Sequence, residues 1–186
     1  TNTTGVNNVA IGHNSLRCNV SGSCNVGIGY MALCCTKGDS NTGIGFNSLQ
    51  FNTTGTCNVA IGHRSLYCNT FGSSNTALGS FALCKNTTGY NNVAVGMTAL
   101  CTNTFGQRNT AIGVQSMKVN TVGGCNVAIG FNSLTTNTTG SCNTALGYES
   151  LRANTTGNSN VAIGFCALTD NTTGNCNIAI GVNALR

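Results

Sequence analysis

Residues 58–74 read NVAIGHRSLYCNTFGSS, and the phrase that opens them returns along the whole chain. Asn, then a β-branched residue, then Ala or Gly, then an aliphatic, then Gly occurs at Asn8, Asn25, Asn41, Asn58, Asn75, Asn92, Asn109, Asn126, Asn143, Asn160 and Asn177. Of the ten intervals between these eleven copies, nine are 17 residues and one, from Asn25 to Asn41, is 16. In that interval CCTKGDS replaces the usual loop, and the loop Asn is missing. A fixed period comes before every other reading, because each unit is one structural repeat that buries its apolar face only against its neighbours.

Numbering each unit from its Asn turns the chain into columns. Columns 5 and 15 are Gly in every complete unit and take 22 of the 25 glycines. Each marks a corner that needs positive φ or close approach of a neighbouring backbone. Column 4 is aliphatic throughout, from Ile11 to Ile180, and column 9 is Leu except at Met117. Helical hairpin repeats run to about 33 residues or more; β-branched segments punctuated by Gly suit strands of about three to five residues. The period therefore predicts an all-β protein, a parallel β-solenoid of about eleven 17-residue coils, as a single uncapped array over 1–186. At a strand spacing of about 4.8 Å the rod is roughly 50 Å long.

Columns 4 and 9 are expected to face inward, so that Ile61 and Leu66 are nearly fully buried. Column 1 is expected to form an Asn ladder in which each side-chain amide bonds the next, as in cross-β stacks. Column 6, which includes His13, Tyr30, Phe46, His63, Met97, Phe131, Tyr148 and Phe165, is either a wall of the core or a stripe buried between protomers. So thin a core leaves stability to coil repetition, cross-links or lateral association.

Charged residues make up 6% of the chain, against about 25% in an ordinary soluble domain. The acids are Asp39, Glu149 and Asp170 and the histidines His13 and His63, too few for general acid–base chemistry or an oxygen-rich metal site. No enzyme activity and no cofactor is expected. The net charge of +5 comes from scarce acids and not from a basic tract, so no nucleic-acid footprint is present. No apolar run approaches the roughly 20 residues of a membrane span. The chain opens at Thr1 with no signal peptide ahead of it and reads as a processed product or an excerpt. Arg186 in column 10 runs into Thr1 in column 11 without a break of frame, so a longer array or head-to-tail stacking of copies is expected.

Twelve Cys in a chain of this size indicate an oxidising, extracellular setting. Residues in one column of adjacent coils have Cα atoms about 4.8 Å apart, inside the disulfide window. Cys84 with Cys101, Cys125 with Cys142 and Cys18 with Cys35 are the expected pairs, and Cys166 suits a buried free thiol. Zinc would need CxxC spacing or a His beside a Cys cluster, and neither occurs. His13 and His63 lie in one column three coils apart, too far to share a metal, and read as exposed or interface side chains. Asn-x-Ser/Thr sequons begin at Asn2, Asn19, Asn52, Asn86, Asn137, Asn154 and Asn171, all in column 12. They read either as glycosylation sites on exposed loops or as turn chemistry, with Asn and Thr bonding local backbone ahead of Gly. Thr dominates column 13, and a flat Thr ladder would suit an ice-binding face.

The phrase NVAIGxxSL with NTTG loops between copies resembles the head repeats of trimeric autotransporter adhesins and related repeats of phage and giant-virus tail fibres. The resemblance implies a left-handed parallel β-roll, often trimeric, displayed outside a cell or virion. The 17-residue period, longer than the adhesin head repeat, and the twelve Cys depart from that family. The expected role is an extracellular structural fibre or filament; the alternative is an adhesin or tail-fibre shaft that binds surface glycans or a host receptor.

Overall fold

The computed structural model describes residues 2–186. Eleven three-residue strands, from β1 (Val9–Ile11) through β2 (Val26–Ile28), β3 (Thr42–Ile44) and β4 (Val59–Ile61) to β11 (Ile178–Ile180), occupy columns 2–4 of successive units. They form one parallel sheet in strict chain order, each strand beside the next. Val59 pairs with Thr76, Ala60 with Ala77 and Ile61 with Leu78, and the same register repeats along the sheet. The chain is a β-solenoid with one repeat per coil.

The short unit keeps this register: Val26 pairs with Thr42 and Ile28 with Ile44. The lost residue comes out of the surface loop. Thr36 takes the place of the loop Asn, fully buried, and its N–H bonds Leu33 O at 3.2 Å as the N–H of Asn52 bonds Leu49 O. Lys37 alone then bridges to Gly38 in column 15.

Side chains alternate across a strand, and here the alternation places column 3 inside. Ala60, Ala77, Ala94, Ala111, Ala128, Ala145 and Ala162 are fully buried, facing Leu49, Leu66, Leu83, Leu100, Met117, Leu134 and Leu151. Leu66 is 0% exposed, as expected. Ile61, expected beside it, is 40% exposed. The inward assignment of column 4 is therefore corrected: once column 3 points in, columns 2 and 4 must point out. The reason is width. At Gly27 an added Cβ would already lie 2.5 Å from Ser15 Oγ, and at Gly43 3.0 Å from Leu33 Cγ, so the lumen opposite Leu holds Gly or Ala and has no room for Ile.

The corners depend on backbone that L-residues rarely adopt. Columns 7, 9 and 17 sit in the left-handed region with residues such as Arg64 (φ 52°), Leu66 (φ 49°) and Cys57 (φ 57°). Gly62 in column 5 has φ 132°, which only Gly takes without strain. Column 15 uses Gly for the other reason: a Cβ on Gly22 would lie 2.6 Å from Gly38 O and 2.7 Å from Asn19 Oδ1.

Candidate functional site

Two amide ladders run inside the rod. In column 1, Asn75 Nδ2 donates to Asn58 Oδ1 at 3.1 Å and the Asn75 main-chain N–H donates to the same oxygen at 3.0 Å. In column 12, Asn69 Nδ2 donates to Asn52 Oδ1 at 2.8 Å, and Asn86 Nδ2 to Asn69 Oδ1 at 2.8 Å. The two meet on one acceptor: Gly72 O takes Asn58 Nδ2 at 2.8 Å and Asn69 Nδ2 at 2.8 Å. Buried amides on this scale are tolerated because each donor and acceptor finds a partner. The column 1 ladder was legible in its invariant Asn. The column 12 ladder was missed, although a signal existed: Asn69, Asn103 and Asn120 hold that column with no Ser or Thr two residues on, so glycosylation could not account for it.

The sequon residues consequently lie elsewhere than on exposed loops. Asn52, Asn86, Asn137 and Asn154 are fully buried and Asn19 nearly so, each donating its Nδ2 to a column 15 carbonyl. That nitrogen is the atom an N-linked glycan would occupy, so the exposed-loop premise is corrected at these five positions. Asn171, in the last loop, is half-buried; Asn2 is exposed, with Nδ2 on Gly5 O at 2.6 Å. The turn chemistry is present as read, with Gly22 N–H donating to Asn19 Oδ1 at 2.9 Å.

The twelve cysteines stand as thiols and divide by column. Cys24, Cys57, Cys125, Cys142 and Cys176, all in column 17, are exposed, whereas Cys18, Cys34, Cys35, Cys68, Cys84, Cys101 and Cys166 are buried or half-buried. Cys84 and Cys101, adjacent in column 10, share a thiol hydrogen bond. That bond raises the Cys84 thiol, with burial adding to the effect, and lowers Cys101 to about 7, helped by Lys85 and Lys118. Burial, with Cys35 beside it, pushes Cys34 up to about 11. Cys125 and Cys142 lie side by side at the surface, Cys18 and Cys35 half-buried on neighbouring coils, and Cys166 is a buried thiol.

The outer face of the sheet is apolar. Columns 2, 4 and 6 expose Val9, Ile61, Ile112, Leu146, Met97 and Phe165, the last 50% exposed. Column 6 is thus no wall of the core. Its rings stack along the rod: His13 on Tyr30 at 5.3 Å, Tyr30 on Phe46 at 5.1 Å and Phe46 on His63 at 5.4 Å, with Phe131, Tyr148 and Phe165 forming a second stack. The two histidines end the first stack, with Tyr30 and Phe46 between them. All eleven Lys, Arg, Asp and Glu side chains fall in columns 7 to 17, so the apolar strip holds none of them.

No family model, curated protein or solved structure matches the chain. Among the described residues no group of three or more His, Cys, Asp or Glu is placed to hold a metal ion, and no helix is long and apolar enough to cross a membrane. The concavity lined by Leu168, Asp170, Asn171, Asn177, Leu185 and Arg186 is the open top of the last coil, not a cleft.

Proposed function

We propose that this chain is a structural rod, the filament or shaft element of an extracellular fibre, which associates with other copies of itself. The observation that carries the reading is the unbroken register from β1 to β11 with two hydrogen-bonded ladders inside it. Such a molecule extends in one dimension and resists bending, and each coil offers the next the same backbone edge. The uncharged strip of columns 2, 4 and 6 supports side-by-side contact, because contiguous exposed apolar surface of this extent marks interaction sites. Head-to-tail stacking would present each coil edge with another of the same kind. The likeness of the repeat phrase to adhesin heads and tail-fibre repeats agrees with display outside a cell or virion, and so does the cysteine count.

Negative-stain electron microscopy of the purified chain tests the reading. Straight rods or bundles with an axial length near 50 Å per chain support it, and compact, non-elongated particles sink it. A second reading, a shaft that recognises surface glycans or a host receptor, is favoured by the exposed and variable side chains of columns 6 and 7, such as His63 against Phe81 at 4.9 Å. Binding of the chain to cell-surface glycans, lost on substituting those columns, would select it. An ice-binding face draws less support, since the column 13 hydroxyls are occupied along the rod: Thr70 Oγ1 donates to Thr87 O at 3.1 Å and Thr104 Oγ1 to Thr121 O at 3.1 Å.

A further inference from the structure

The exposed cysteines are the group the rod does not account for. A thiol on a surface is unusual, since free Cys is among the most buried residue types. The left-handed backbone of column 17, with φ near 57° at Cys24 and Cys57, suits Asn or Gly and gives no conformational reason for Cys. Three of the five have no cysteine within reach in their own chain. Cys24 lies between Asn7 and Ser40 in its column, Cys57 between Ser40 and Ser74, and Cys176 next to Ser159. Cys24 and Cys57 are two coils apart, roughly 10 Å, beyond the Cα separation of about 7 Å that a disulfide tolerates. The remaining cysteines sit in columns 7, 10 and 11, around the perimeter from this edge.

Counting column 17 in coils from Asn7 as zero puts Cys24 at 1, Cys57 at 3, Cys125 at 7, Cys142 at 8 and Cys176 at 10. Positions 1, 3, 8 and 10 form a palindrome centred between Asn91 at 5 and Arg108 at 6. We propose that column 17 is a covalent coupling edge that joins two copies of the chain side by side and antiparallel, through disulfides Cys24–Cys176 and Cys57–Cys142 in both directions. A two-fold axis across the rods between Asn91 and Arg108 makes the contact isologous, so each link occurs twice.

The charges on this edge choose the antiparallel arrangement over the parallel one. In a parallel pair in register, Arg108 would face Arg108 and, in the neighbouring column 16, Asp39 would face Asp39. In the antiparallel pair Arg108 meets Asn91 and stands one coil off its own copy, Asp39 meets Asn158 and stands seven coils off its own copy, and Ser40 meets Ser159. All of these side chains are exposed, and like charges placed opposite each other oppose association. The partner is a second copy because only a surface with the same axial spacing brings four thiols opposite four thiols in one register. The edge also borders column 2 of the apolar strip, with only the buried Asn of column 1 between them.

The chemistry is thiol–disulfide exchange with a small disulfide as oxidant. The thiolate of Cys24 attacks the small disulfide, forming a mixed disulfide and releasing one small thiol. The thiolate of the facing Cys176 then attacks the protein sulfur, the protein disulfide forms, and the second small thiol leaves. Two protein thiols are oxidised and one small disulfide is reduced to two thiols.

The test is oxidation of the full chain by oxidised glutathione, with non-reducing electrophoresis and mapping of the linked peptides. A covalent dimer containing Cys24–Cys176 and Cys57–Cys142 peptides is expected. Every proposed link uses Cys24 or Cys57, so the double variant Cys24→Ser with Cys57→Ser should lose the dimer entirely. Serine already stands in this column at Ser40, Ser74 and Ser159, so the fold is kept. Cys125→Ser, which removes the competing link to Cys142 within one chain, and Cys84→Ser should leave the dimer intact. Same-site links such as Cys24 to Cys24, a dimer that survives the double variant, or a monomer whose column 17 thiols stay reactive would each overturn the proposal. Rods seen in the microscope without these links would leave the structural reading standing; links without rods would do the reverse.

Discussion

Ile61 and Leu66 lie five residues apart in one coil, are of equal size, and live in different surroundings. Leu66 stands in a continuous inner column between Leu49 and Leu83, fully buried. Ile61 stands in an equally continuous outer column between Ile44 and Leu78, where its neighbours along the axis are apolar but its face is open. Repetition conserves both columns, but only the inner one has atoms on every side. In a solenoid, then, an aliphatic column signals stacking along the axis, and whether it is core depends on the width of the lumen beside it.

Substitutions at the two positions sharpen the contrast. Leu66→Ala is expected to cost about 2–5 kcal/mol, the range for a fully buried Leu, read as a fall in the midpoint of chemical denaturation. Next in size, Asn69→Ala leaves Asn52 Oδ1 without its donor, takes one N–H partner from Asn86 Nδ2, which keeps Gly89 O, and removes one of the two bonds to Gly72 O. Each buried group left unpaired costs about 1–3 kcal/mol, so the loss should approach that of the Leu variant although no apolar surface is removed. Ile61→Asp should cost within about 1 kcal/mol, as exposed substitutions do. Its larger effect should be weaker lateral association, measured by sedimentation. A loss at Ile61 equal to that at Leu66 would mean that the outer column is covered in the assembled rod.

The smallest effect is on titration. The hydrogen bond from Cys84 lowers the Cys101 thiol from its ordinary value of 9.0 to about 7. A lowered thiol contributes stability that is complete above the ordinary value and is lost as pH falls through about 7. Cys84, raised, opposes it at high pH. Alkylation of Cys101 should inflect near pH 7, and Cys84→Ala should move that inflection up towards the ordinary value.

The period, the short strands, their parallel stacking and the column 1 ladder were all legible in the sequence, because each follows from identity at a fixed spacing. The inward column was not, because hydropathy favours Ile over Ala while strand alternation and lumen width favour Ala. Column 12 was hidden for a different reason: NTT is at once a sequon, a turn and a ladder rung, and only the copies at Asn69, Asn103 and Asn120 separate these roles. The partition of the cysteines into exposed and covered columns needed the direction in which each side chain leaves the coil.

The column 12 amide ladder gives the rod an electrical direction. In the sheet, main-chain bonds run both ways between coils: Val59 N–H donates forward to Asn75 O, and Gly62 N–H donates back to Ile44 O. In column 12 the side-chain amides do not alternate: from Asn69 to Asn171 each Nδ2 donates back to the Oδ1 of the lower-numbered coil, so their dipoles add along the axis as peptide dipoles add along a helix. In column 1 the amide hydrogens divide, Asn58 Nδ2 donating back to Asn41 Oδ1 and forward to Gly72 O. One broken end of the column 12 stack offers amide hydrogens and the other offers amide oxygens. Extension by like coils therefore has a sense, with hydrogens meeting oxygens, and two rods that meet end to end with the same face forward leave this ladder unjoined.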